Sequence, residues 1–214
     1  MTQNIKERPI LFSGPMIRAI IEGHKTQTRR IVSQSNLDQM ERDTLKYGKA
    51  DYGICPYGQR GDRLWVRETW AVFWTESEPY VDQSVWDVPH QIEYRADAQT
   101  KYPGEWPDYC GDDPECAKWR PSIHMPRSAS RITLEVVRVR VERVQDITEE
   151  DAIAEGMQVA EGHMHAPLIP NAVMIPYTHR DAFNGLWDAI NDKRGFGWDT
   201  NPWVWVIEFK REVP

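Results

Sequence analysis

Eight residues near the start of the chain, Gly23-His24-Lys25-Thr26-Gln27-Thr28-Arg29-Arg30, set three cations, a histidine and two hydroxyls directly after an apolar run. Basic groups beside hydroxyls bind phosphate or the polar edge of a base. A lysine held against a threonine can also act as the base that makes the hydroxyl a nucleophile. On charge alone the plainer reading is a solvated basic turn, because surface clusters of Lys and Arg are common. A threonine hydroxyl attacks only after losing its proton, and a lysine takes that proton only if burial or a neighbouring cation lowers its pKa. Arg29 and Arg30 are candidate neighbours. In a regular strand positions 25 and 28 point to opposite faces, so for the two to meet Lys25 must lie in the bend before the strand.

Two further carboxylates draw attention. In Arg63–Trp70 (RLWVRETW) alternation puts Leu64, Val66 and Glu68 on one side and Trp65, Arg67 and Thr69 on the other. A glutamate on the apolar side either sits at the wet end of the strand or pairs with a cation. Trp65 is a flat surface on which a base can stack. Glu155 lies four residues after Asp151, so the two share one face of a short helix.

The elements that must carry these residues follow in order. Lys6–Ser13 reads as a strand, Gly14-Pro15 starts a short apolar helix, and Gly23 can end it in a left-handed conformation. Thr26–Val32 is extended, and Leu37–Leu45 is a weak helix. Ser130–Val144 is the clearest strand, with a register shift at Val136-Val137 that predicts a bulge. Thr148 caps an acidic helix over Glu149–Glu155 that Gly156 closes. Thr178–Asn191 is an amphipathic helix, and Trp203–Phe209, apolar on both faces, is a strand in the middle of a sheet. Residues 71–127, rich in Trp, Pro, Asp and Tyr, read as an insertion with one strand at His90–Ala96. The expectation is one α+β domain over residues 1–214 with a decorated middle.

Composition narrows the function. The net charge of −7 argues against coating nucleic acid by bulk electrostatics. Yet residues 1–49 hold nine Lys or Arg against five acids, so the remainder carries −11. A local basic site on an acidic body suits a specific anionic or nucleoside ligand. Ten Trp leave several free to stack after the core is filled. No run of 18 apolar residues and no leader pattern is present, so no membrane span is expected, and three cysteines without a CxxC pair fit a cytoplasmic protein. Cys110 and Cys116 with His124 do not match the spacings of zinc sites, and His163 and His165, spaced so that they could ligate a metal from an extended segment, lack acidic or thiol company and read as loop residues. No metal and no cofactor is expected.

A Gly-ended helix followed by Lys-Thr-x-Thr-x-Arg, a Gly-Asp turn before a strand, a long valine strand, a short acidic helix and a final WVxxF-like strand together resemble the ASCH domain. The wording of Pro9–Arg30, Gly61–Trp70, Trp119–Gly156 and Leu186–Phe209 resembles its prophage-encoded branch. The resemblance implies a PUA-like small β-barrel with flanking short helices, here with a large Trp/Pro-rich insertion at about 71–127, and a nucleoside or RNA ligand. One type of family member hydrolyses the amide of N4-acetylcytidine. By motif this implies Lys25 as base, Thr28 as nucleophile and Glu155 as partner of the amine or proton donor to the leaving group. Arg30 falls on the family's arginine, and Arg29, Thr26, Glu68 and Trp65 are candidate ligand-binding residues beside it. The alternative is a non-catalytic PUA-like module that reads RNA or a modified base. A ribonuclease ranks below both, for want of clustered metal-binding carboxylates.

Overall fold

The computed structural model describes residues 5–47, 52–74, 90–97, 119–159, 164–165 and 175–212. Along the chain these form β1 (Glu7–Leu11), α1 (Gly14–Ile21), β2 (Gln27–Ile31), α2 (Gln34–Tyr47), β3 (Arg63–Arg67), β4 (Trp70–Trp74) and β5 (His90–Tyr94). They continue with β6 (Thr133–Arg143), α3 (Glu149–Ala154), β7 (Met164–His165), β8 (Ile175–Pro176), α4 (His179–Asn191) and β9 (Trp203–Arg211). The architecture is α+β. Its main sheet has the order β1-β3-β6-β9-β2, parallel between β1 and β3 and antiparallel elsewhere.

The final strand explains the layering. Trp205, Ile207 and Phe209 enter one core with Ile10, Leu64, Val66, Leu134 and Val136, closed by Ile17 and Ile20 of α1. Val204 and Val206 enter a second core with Val144, Phe183 and Trp187, under α3 and α4. A strand between two cores must be apolar on both faces, and β9 sits between β6 and β2 in the sheet. The pairing of β6 with β9 shifts register between Val136 and Arg138, which leaves Val137 as the extra residue of a bulge.

Two expectations need correction. Among the described residues the sheet is open and not a closed barrel, with β1 and β2 on its margins. Side chains fill the gap instead. Arg30 Nη2 donates to the Leu11 carbonyl at 2.6 Å, and α1 crosses from one margin to the other. The strand expected over Arg63–Trp70 ends at Arg67, because the buried Glu68 is turned onto Arg131 and its N–H meets the Met125 sulfur. A new strand, β4, starts at Trp70 and pairs with β5, giving a small separate core of Trp70, Val72, Met125 and Ala129. Of the expected insertion, residues 75–89 and 98–118, with Cys110 and Cys116, lie outside the described residues, as does His163.

Candidate functional site

Gly23, at φ +80°, ends α1, and the chain then leaves helical geometry without yet joining β2. The N–H groups of His24 and Lys25 both donate to the Ala19 carbonyl, at 2.8 and 2.9 Å. Lys25 thus occupies the irregular link before the strand, and it faces Glu155 across an isolated antiparallel bridge. The next residue, Thr26, is exposed, with its N–H on the Ala154 carbonyl and its carbonyl accepting from Phe209.

Glu155 is delivered by the end of α3. Thr148 caps that helix by accepting from the Asp151 N–H at 3.1 Å, and Gly156, at φ +85°, turns the chain away. A Cβ on Gly156 would stand 3.0 Å from Lys25 Cβ and 3.1 Å from Ala19 Cβ. The missing side chain is what lets α3, α1 and Lys25 meet so closely.

The result is a buried ion pair. Lys25 is 2% exposed and Glu155 4%. Lys25 Nζ donates to Glu155 Oε2 at 2.6 Å and to the Glu155 carbonyl at 2.8 Å. Burial pushes the Lys25 amine below its ordinary pKa. The Glu155 carboxylate opposes that shift, and Arg30 and Arg29 add to it.

The other oxygen of Glu155 is also taken. Arg29, its side chain sealed from solvent, donates from Nη1 to Glu155 Oε1 at 3.1 Å. Its Nη2 donates to Glu142 Oε1 at 2.5 Å and Asp151 Oδ2 at 2.8 Å. The guanidinium lies 5.7 Å from the Phe183 ring centroid. Arg140 closes the network on Asp151, Glu142 and Glu208. Burial raises the pKa of the Asp151 carboxyl, but Arg29 and Arg140 outweigh it and hold the group below the usual range.

Thr28 and Arg30 take the opposite face of β2 from Arg29, as alternation requires. Thr28 is 3% exposed, and among the described residues its hydroxyl shares no hydrogen bond with Lys25 or Glu155. The Arg30 guanidinium lies 5.2 Å from the centroid of the Phe12 ring, and Lys25 Nζ approaches the same ring at 5.8 Å. Phe12 is therefore the wall that the two cations share. Desolvation lowers the pKa of Arg30, against the influence of Tyr57 and Glu155, and no carboxylate of the described residues forms an ion pair with it.

The structure thus joins Lys25 to Glu155 and sets Arg29 on the other oxygen of the same carboxylate. Glu68 and Trp65 make their contacts elsewhere. Both oxygens of Glu68 accept from Arg131, at 2.9 and 3.0 Å, and Arg131 continues to Asp97 and the face of Tyr94. Burial raises the pKa of Glu68 although Arg131 opposes it. Trp65 lies beneath the Arg67 guanidinium, 4.6 Å away. A surface depression of about 510 Å³ is lined by Arg63, Arg131, Glu135 and Lys210, and by neither Lys25, Thr28 nor Glu155.

Arg140, Glu142 and Glu208 join the site without having stood out in the sequence. Their only local signal is the i, i+2 spacing of Arg140 and Glu142, which puts both on one face of β6. Among the described residues no group of three His, Cys, Asp or Glu is arranged to hold a metal ion. Comparison of the chain with protein-family models, with curated proteins and with solved structures finds no match in any of the three.

Proposed function

We propose that this chain is an ASCH-type protein of the PUA-like class, cytoplasmic and directed at a nucleoside or RNA, and that it hydrolyses the exocyclic amide of an N4-acylated cytidine. The observation that carries the reading is the Lys25 amine, buried in the link before β2 and held by two acceptors of a single residue. A neutral amine has two N–H bonds and one lone pair. Both N–H bonds are used on Glu155, which leaves the lone pair as the free valence of a base.

In this reading neutral Lys25 takes the proton of Thr28 Oγ1 as that oxygen bonds to the acyl carbon. The C–N bond then breaks, and the departing N4 receives the proton from Lys25. Cytidine leaves, and the acyl group remains on Thr28 as an ester. Water attacks the ester, Lys25 takes its proton and returns it to the Thr28 oxygen, and the carboxylic acid departs. Glu155 holds the amine in place throughout. Arg30, which forms no ion pair with a carboxylate among the described residues, faces the negative charge that develops on the acyl oxygen.

One observation favours a second reading, a non-catalytic binding module. Lys25 bonds to Glu155 and not to Thr28, so the pair also serves as a structural clasp, with Arg30 and Phe12 left to hold a base or phosphate. Incubation with N4-acetylcytidine and related N4-acylated nucleosides separates the two. Turnover by the parent chain, lost in Lys25→Ala and Thr28→Ala and partly kept in Thr28→Ser, supports the hydrolase. Nucleoside or RNA binding without turnover supports the reader. Turnover that survives both alanine variants refutes the assignment of residues.

A further inference from the structure

Arg29 stands at a position where the proposed chemistry has no use for a cation, on the face of β2 opposite Thr28. Its cost is evident. A guanidinium sealed from solvent must find carboxylates, and its Nε has no hydrogen-bond partner among the described residues. It draws on three acceptors from two elements: Glu155 and Asp151 at the two ends of α3, and Glu142 of β6. Asp151 and Glu142 are themselves tied to Arg140. These bonds leave the guanidinium little freedom to swing, and so its Nη1 stays on Glu155 Oε1.

We infer that Arg29 is a positioning residue: by occupying one oxygen of Glu155 it divides that carboxylate between two cations and fixes the Lys25 amine on the other oxygen. Without Arg29, both oxygens of Glu155 would be open to Lys25, which could then hold its proton against a full carboxylate charge. With Arg29 in place, part of that charge is already committed, and a second buried cation stands beside the amine. Both effects favour the neutral amine.

The inference rests on Lys25 as the working base, but its test does not need turnover. Among the described residues the charged groups acting on Lys25 are Glu155, at the end of α3, and Arg29 and Arg30 of β2. Behind them stand Asp151 and Glu142 on Arg29, Arg140 and Glu208 linked through Asp151 and Glu142, and the Tyr57 hydroxyl acting on Arg30. The midpoint of Lys25 is followed by NMR of its Cε and Nζ in the full-length chain, with the signal assigned by its loss in Lys25→Met.

In Arg29→Met the midpoint is expected to rise by about 1–3 pH units, the usual effect of uncovering an opposite charge. In Arg29→Lys, which keeps a cation without the fork, it rises less. In Asp151→Asn, which frees Arg29 for Glu155, it falls. The amide spectrum of each variant reports that the fold is kept. If Arg29→Met does not fold, Arg29→Lys and Asp151→Asn still decide by their opposite signs. An unchanged midpoint in the folded variants overturns the inference. Absence of turnover by the parent chain overturns the hydrolase reading alone. Where turnover is present, the acid limb of kcat/KM moves with the Lys25 midpoint, whereas a merely structural Arg29 would lower kcat without moving that limb.

Discussion

Gly156 and Gly23 both end a helix with a left-handed backbone, at φ +85° and +80°, yet their surroundings differ. A Cβ at Gly23 meets nothing within 4 Å, while one at Gly156 stands 3.0 Å from Lys25 Cβ and 3.1 Å from Ala19 Cβ. Gly23→Ala therefore pays only for placing an L-residue in the left-handed region, about 1–2 kcal/mol. Gly156→Ala adds a clash against two Cβ atoms, which, unlike the far end of a flexible side chain, move only with their backbone. Overpacking of that kind costs a further ~1–3 kcal/mol. For a chain of this length each kcal/mol lowers Tm by about 2–4 °C. Urea unfolding and thermal melting of both variants check the difference, with Gly195→Ala, also left-handed and open, as a second control. Equal losses at positions 23 and 156 would refute the claim that Gly156 is there for close approach.

Two further outcomes follow from the buried charges. Glu155→Gln is expected to cost about 3–5 kcal/mol, because it strips the carboxylate from two buried basic groups. Lys25→Met costs less in the same urea titration, since Arg29 still holds Glu155, and the reverse order would contradict the shared-carboxylate geometry. At Asp62 burial raises the carboxyl pKa, but the N–H groups of Lys6 and Gln59 and the Arg8 guanidinium outweigh it and leave the pKa lowered. A folded pKa below the unfolded value of about 3.9 gives stability that is present above that pH and is lost as pH falls through the folded pKa. Asp62→Asn should flatten the acid limb of a stability–pH curve, and an unchanged limb would remove Asp62 from the account.

Local pattern carried much of the fold. The shift at Val136-Val137 announces the bulge, Thr148 announces the cap of α3, and the doubly apolar β9 announces its place between two cores. The irregular path at Lys25 was legible from Gly23, whose left-handed backbone ends α1 before β2 begins. The Asp151–Glu155 spacing showed that the two acids share a face, and both do reach Arg29. What stayed hidden was the partner. Arg29 lies 113 residues from Glu142 and 122 from Asp151, and no local periodicity joins them. Glu68 was narrowed to a wet strand end or a cation, and its cation, Arg131, is 63 residues away. Openness of the sheet was equally unreadable, since it depends on whether β1 and β2 pair, and one side-chain bond from Arg30 stands in that gap.

That gap bears on how open the β1 edge is to a further strand. The Lys6 carbonyl and the Phe12 N–H bond to β3, so the even positions of β1 face inward and Glu7, Pro9 and Leu11 turn their backbone groups to the free margin. Proline offers no N–H there, and the Leu11 carbonyl is already occupied by Arg30. A stray strand arriving at this edge meets a missing donor, a used acceptor and the charged Glu7. The β1 edge can remain unpaired without serving as a ready template for a further strand.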